Sequence, residues 1–123
     1  KIISQLNGQH IFLIGSHYNS MSRIAVLDVI SSVKSTGHEI WEKTINDQHI
    51  VVCHYAMRTW GRSHFNSWQL YGHSHGTLEG HGKQMDIGVD TNHFYPYSFD
   101  EIKRIMNKKE DNLNYLKLKE KRK

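Results

Sequence analysis

The sequence predicts a single α/β domain, and three observations lead to this prediction. Two segments, 21–33 and 97–110, have the apolar periodicity of amphipathic helices. Four short apolar segments have the length and the β-branched or aromatic composition of strands; they are 10–17, 49–55, 67–75 and 84–90. The chain of 123 residues suits one domain with a hydrophobic core and leaves little room for a second. Strands mixed with helices around one core are typical of α/β proteins.

Residues that favour turns precede two of the predicted strands. An Asn-Gly pair at 7–8 comes before the first strand, and an Asn-Asp pair at 46–47 comes before the second. The segment 39–45 predicts a further strand, which would pair with 49–55 across the turn at 46–47. We therefore expect a β-hairpin in the middle of the chain.

Both predicted helices begin with a capping signal. The apolar residues of 21–33 are spaced for one broad face, and Ser20 is placed to cap the first turn. In the second helix, Ser98 is followed three residues later by Glu101, which is the pattern of a capping box.

Positive charge is concentrated at the C-terminus. Residues 1–102 hold seven Lys or Arg and nine Asp or Glu, a net of -2, whereas 103–123 hold nine and three, a net of +6. We assign 1–110 to the folded domain and 111–123 to a basic tail or helix end. A basic face can attract nucleic acid, but Tyr115 is the only aromatic residue in this tail that could stack on bases. We therefore expect a solvated tail and no nucleic-acid partner.

The single cysteine, Cys53, excludes a disulfide framework and favours a reducing, cytoplasmic setting. It adjoins His54, but neighbours on a strand point to opposite faces, so a packing role is favoured over a nucleophilic one. No apolar run approaches the roughly 18 residues that span a bilayer, and the N-terminus lacks the layout of a secretory signal. We expect a cytoplasmic protein that does not use a membrane.

Three of the apolar segments end in histidine, which supplies His17, His54, His73 and His75. In sheets flanked by helices, ligands bind in the crevice outside the carboxyl ends of the strands. In an extended segment His73 and His75 would share one face, and the glycines on either side would let the backbone approach an ion closely. Each histidine taken alone could be an ordinary polar residue. Four of them at strand ends predict a metal site.

The order of these motifs resembles the C-terminal part of the calcineurin-like metallophosphoesterases. That family carries G-N-H-D, then a lone histidine, then G-H-x-H; this chain has GSHY at 15–18, His54 and GHSH at 72–75. The resemblance runs along most of the chain, through the stretches LIGSHY, DQHIVVCHYAMRTW, WQLYGHSHG, MDIGVD and PYSFDEI. It implies that the domain is part of a four-layer α/β/β/α sandwich with a two-metal centre at the strand ends.

The resemblance also implies a role for each histidine. His54 and His73 would bind the second metal ion and His75 the first, while His17 would contact the phosphate and act as proton donor. The cofactor would be a divalent transition metal such as Mn, Fe, Zn or Ni. The reaction would be hydrolysis of a phosphate mono- or diester by metal-activated water. Arg58 either adds a charge-assisted contact to the phosphate or is a surface arginine.

Three departures from the family pattern keep a second hypothesis open. Ser16 stands where the family has a metal-binding Asn, Tyr18 stands where it has an Asp, and 1–14 contains neither D-x-H nor G-D. The first hypothesis is the C-terminal half of a metallophosphoesterase, starting at Lys1 and needing an upstream segment for full activity. The second is a catalytically inactive remnant that acts as a metal-binding or interaction module.

An incomplete sandwich would leave a sheet edge or an apolar face uncovered. A second copy of the chain could cover it, because edge strands present unpaired backbone groups that pair readily with another strand. We therefore expect either a homodimer or a complementing N-terminal segment.

Overall fold

The computed structural model describes residues 11–13 and 37–113. The predicted helix at 21–33, the candidate proton donor His17 and positions 114–123 of the basic tail lie outside the described residues. The described elements, in chain order, are the strands β1 (Phe12–Leu13), β2 (Gly37–His38), β3 (Ile40–Ile45), β4 (Gln48–Cys53), β5 (Trp68–Tyr71) and β6 (Gln84–Asp86), a one-turn 3-10 helix (Val89–Thr91) and the helix α1 (Phe99–Met106).

A mixed four-stranded sheet lies at the centre of the described domain. Its order is β3-β4-β5-β6, with β3 antiparallel to β4 and with β4, β5 and β6 running parallel. The short strands β1 and β2 pair with each other in parallel, in a separate sheet. Parallel strands joined by crossovers, with a helix packed against them, are features of an α/β domain, so the predicted class is confirmed.

The predicted β-hairpin is also confirmed. The strands β3 and β4 pair continuously, and Ile45 lies opposite Gln48 at the closed end. The two connecting residues, Asn46 and Asp47, have φ angles of 49° and 63°. A two-residue turn with positive φ at both positions matches the twist of the flanking strands, and Asn and Asp tolerate this conformation better than most side chains.

Three of the strands end earlier than the predicted segments. β4 ends at Cys53 instead of residue 55, β5 ends at Tyr71 instead of residue 75, and β6 ends at Asp86 instead of residue 90. Beyond β5 the chain turns at once, and beyond β6 it enters the 3-10 helix through Gly88. The apolar composition of these segments predicts where the strands begin but not where turn contacts end them.

The helix α1 covers one face of the sheet. The hydroxyl of Ser98 accepts a hydrogen bond from the backbone N–H of Glu101 at 3.1 Å, which confirms Ser98 as the N-cap. The carboxylate of Glu101 accepts a bond from this hydroxyl at 3.1 Å, in place of the Ser98 N–H that a capping box predicts. The core cluster between helix and sheet contains Ile50, Trp68, Leu70, Met85, Ile102 and Met106. Burial of each large apolar side chain stabilises the fold by about 1.5–3 kcal/mol relative to exposure. Neither of the helices in the described ranges is long and apolar enough to cross a bilayer.

The opposite face of the sheet is covered by the crossover between β4 and β5. All four residues of β5 are buried, although alternate residues of a strand point to opposite faces. Trp60 lies in this crossover, is buried, and donates its indole N–H to the carbonyl of Ser67 at 3.3 Å. The covered face is lined by polar side chains, which include Gln69 and Gln84.

Candidate functional site

His54 and His73 meet where two neighbouring parallel strands end. His54 directly follows β4, and His73 is the second residue after β5. The N–H of Gly72 donates to the carbonyl of His54 at 3.0 Å, which extends the pairing past the strand ends. The Nε2 atom of His54 lies 3.1 Å from the Nδ1 atom of His73. The structure therefore brings these two predicted ligands into contact.

The separation of these two nitrogens fits a pair of ligands on one metal ion. Imidazole nitrogens bind Zn²⁺ at about 2.0–2.1 Å, so two of them in a tetrahedral or octahedral shell lie about 2.9–3.4 Å apart. The observed 3.1 Å falls inside this range. As the rings stand, one of them donates its N–H to the other, and the tautomers decide which.

The ring of Tyr55 packs against both imidazoles. Its centroid lies 5.0 Å from that of His54 and 4.7 Å from that of His73. Contacts between aromatic rings at such distances are favourable and restrict the ring orientations. Because Tyr55 is nearly half exposed, the three rings form an accessible cluster at the surface.

The extended conformation predicted for residues 73 to 75 is wrong. His73 and His75 have φ angles of 57° and 50°, which belong to the left-handed region and not to a strand. Gly76 completes the turn with a φ of 76°. Positive φ in a non-glycine residue costs of order 1 kcal/mol or more and is maintained only where surrounding contacts impose it. The two histidines are therefore placed by a turn and not by strand alternation.

His75 is paired with Asp90. Its Nδ1 atom lies 2.5 Å from a carboxylate oxygen of Asp90, and its side chain is 73% exposed. Metal-binding histidines commonly donate one ring N–H to a carboxylate, which directs the other nitrogen to the metal. The Nε2 atom of His75 is thus the atom that a ligand would contact.

Asp86 holds the turn at 72–76 in place. Its Oδ2 atom accepts hydrogen bonds from the hydroxyl of Ser74 at 3.3 Å and from the N–H of Gly76 at 3.0 Å. Its Oδ1 atom accepts the N–H of Gly88 at 2.8 Å. A carboxylate at the end of β6 therefore determines the conformation of the turn that follows β5.

Tyr71 anchors the segment that follows this turn. Its hydroxyl donates to the carbonyl of Leu78 at 3.1 Å. Burial raises the pKa of this hydroxyl, and the negative charge of Asp86 raises the pKa further. Tyr71 consequently remains a neutral hydrogen-bond donor at physiological pH.

The sequence patterns do not predict the roles of Asp86 and Asp90. Both belong to the stretch MDIGVD, which lies in the predicted strand 84–90 and matches the motif order. One sequence signal does point to such a role. Asp90 stands at the carboxyl end of this predicted strand, and ligand-binding side chains gather at the carboxyl ends of neighbouring strands. Arg58 is exposed, and its carbonyl accepts a hydrogen bond from the side chain of Asn112 at 2.8 Å.

Within 11–13 and 37–113, no three His, Cys, Asp or Glu side chains are grouped as a complete metal cage. The described part of the chain therefore supplies a pair of imidazoles and, separately, the His75–Asp90 pair. Comparisons with known protein families, with curated proteins and with solved structures found no match for this chain. Its function must be argued from the chemistry of the site.

Proposed function

We propose that the chain is the C-terminal portion of a metal-dependent phosphoesterase of the calcineurin-like type. The observation that carries the proposal is the 3.1 Å approach of His54 and His73 at the carboxyl ends of parallel strands. These two residues would bind one divalent transition metal, and His75 would bind a second. The bound ions would supply Lewis acidity and lower the pKa of the attacking water.

The chain's own residues have separate tasks in this reaction. The pair of imidazoles would orient the metal at the open end of the sheet, and Asp90 would fix the tautomer of His75. His17 would donate a proton to the leaving oxygen of the phosphate ester as the P–O bond breaks. The substrate is a phosphate mono- or diester.

In this proposal the sheet with α1 on one face would form two layers of a four-layer sandwich. The other layers, together with the D-x-H and G-D carboxylates, would come from an upstream segment, carried on the same chain or on a partner. Until that segment is present, hydrolysis by this chain alone is expected to be weak.

Metal titration tests the proposal directly. Calorimetry with Mn²⁺ and Zn²⁺ should detect binding to the wild-type chain and its loss in His54→Ala and His73→Ala. Loss of a hydrogen-bond partner of a metal ligand costs about 10–100-fold in affinity, so loss of a ligand should cost more. His81→Ala is the matched control, because His81 is an exposed histidine and its backbone N–H, which the variant retains, donates to Gln84. Equal affinity in all four proteins would contradict the proposal.

A non-catalytic metal-binding module is the second candidate. In the part of the chain that the structure describes, only two imidazoles are grouped, and His75 is paired with Asp90. This arrangement favours a metal-binding module over a two-metal catalytic centre. An aryl phosphate assay with the complementing segment added separates the two candidates. Hydrolysis that His54→Ala abolishes supports the phosphoesterase; metal binding without hydrolysis supports the module.

A further inference from the structure

Two buried glutamines lie side by side on the face of the sheet that α1 does not cover. Gln69 and Gln84 are partners in the register of β5 and β6, and they are 0% and 2% exposed. The amide nitrogen of Gln84 donates to the amide oxygen of Gln69 at 2.6 Å. In folded proteins the large majority of polar side-chain atoms buried to this extent have a hydrogen-bond partner.

Both glutamines bind the backbone of the segment that follows His54. The amide nitrogen of Gln69 donates to the carbonyl of Tyr55 at 3.3 Å, and its oxygen accepts the N–H of Met57 at 3.2 Å. The amide nitrogen of Gln84 donates to the carbonyl of Met57 at 2.7 Å. The segment has left the strand β4, and the two amides replace the backbone partners that a neighbouring strand would provide.

The remaining polar atoms of the two amides are also used. The second N–H of Gln69 donates to the carbonyl of Leu70 at 3.1 Å, and the oxygen of Gln84 accepts the N–H of His81 at 3.0 Å. A fully satisfied buried network fixes one geometry, whereas apolar side chains of the same size would fill the space without selecting one. The network thus specifies where the backbone from Tyr55 to Met57 lies.

We propose that Gln69 and Gln84 are positioning residues for His54, an inference that rests on the proposed metal-binding function. His54 is held on one side by the bond from Gly72 and on the other by the segment that the glutamines fix. Metal coordination tolerates errors of only about 0.2 Å in ligand distance. A shift of the backbone at Tyr55 therefore moves the imidazole of His54 away from that of His73.

Substitution by methionine tests the inference, because methionine keeps the length of glutamine and removes its hydrogen bonds. Gln69→Met and Gln84→Met should each weaken Co²⁺ binding by about 10–100-fold and change the visible spectrum of the bound ion. Gln48→Met is the matched control: Gln48 also donates to backbone carbonyls, those of His49 and Asn66, but it contacts the crossover at its far end and not at Tyr55 or Met57. Its Co²⁺ affinity and spectrum should remain those of the wild type.

Two metal-free measurements separate failure of this inference from failure of the proposed function. The ring ¹⁵N shifts of His54 and His73 should change in Gln69→Met and stay constant in Gln48→Met. In the wild type, hydrogen exchange should show the Met57 amide protected as strongly as the amides of β5, which requires no variant to fold. Any of three results would overturn the assignment, whether or not the wild type binds metal. They are unchanged ring shifts in Gln69→Met, equally changed ring shifts in Gln48→Met, or a Met57 amide that exchanges without protection.

Discussion

The face of the sheet under α1 is apolar, whereas the opposite face carries two amides, a phenol and a carboxylate. Trp68 and Leu70 point to the first face, while Gln69 and Tyr71 alternate with them and point to the second. Both faces are buried along β5, so exposure alone does not distinguish them. The difference is in what the buried groups do: the apolar side supplies stability, and the polar side directs the turns that carry the histidines.

The largest expected effect comes from the apolar face. Trp68 is 1% exposed and its ring lies 5.4 Å from that of Phe99 on α1. Trp68→Ala removes this packing and leaves a cavity, which should lower the free energy of unfolding by about 3–5 kcal/mol. Urea denaturation followed by circular dichroism measures the change.

Phe94→Ala is the control for this prediction, because Phe94 is 78% exposed. Its free energy of unfolding should stay within about 0.5 kcal/mol of the wild type. A Trp68→Ala change as small as that of the control would show that the contact between α1 and the sheet contributes little to stability.

An intermediate effect is expected on the polar face. Asp86→Asn removes the charge that three donors share, and the new amide N–H groups face donors instead of acceptors. The free energy of unfolding should fall by about 1–3 kcal/mol, and the contact of His54 with His73 should weaken. Chemical denaturation and a His54–His73 ring nuclear Overhauser effect measure the two consequences.

Asp47→Asn is the matched control, since Asp47 occupies a positive-φ turn position that suits Asn equally well. Comparable destabilisation by both variants would show that the Asp86 carboxylate is not a special anchor.

The contrast between the faces also explains which features were predictable from sequence. The hairpin turn and the Ser98 N-cap depend on residues within three or four positions of each other, so local patterns suffice. The meeting of His54 with His73 follows from both residues standing at the ends of parallel strands. In each case a local signal, or the direction of a strand, determines the outcome.

The polar face was not predictable in the same way. Gln69 looks like a solvent-facing strand residue, and it is buried only because the crossover at 54–67 folds over it. The left-handed turn at His73 and His75 depends on Asp86, which lies on another strand. Periodicity carries no information about such contacts, because they depend on tertiary structure.

A smaller loss is expected at the start of α1, on the apolar side. Ser98→Ala removes the hydroxyl that accepts the N–H of Glu101 and should cost about 1 kcal/mol of stability. Metal affinity should not change, because the hydroxyl of Ser98 bonds to Glu101 in the first turn of α1 and not to the histidines. Thermal unfolding together with a Zn²⁺ titration measures both quantities; a decrease in affinity would show that the start of α1 is coupled to the histidine cluster.

The smallest effect depends on pH and concerns Tyr71. The folded state raises the pKa of its hydroxyl above the ordinary value of about 10, through burial and the charge of Asp86. Above the unfolded pKa the native state binds more protons than the unfolded state, so stability decreases as the pH rises through the folded pKa. Below the unfolded pKa this contribution is fully present. Tyr71→Phe removes the ionisable group, and the decrease in stability above pH ~10 should become shallower than in the wild type.

Tyr95→Phe is the control for this last comparison, because Tyr95 is 72% exposed and its removal should leave the alkaline decrease unchanged. At neutral pH, Tyr71→Phe loses only the hydrogen bond to Leu78, worth about 1 kcal/mol. Urea midpoints between pH 8 and about 11 separate the two contributions. If the two variants have the same pH profile, burial on the polar face does not distinguish the ionisation of Tyr71 from that of a surface tyrosine.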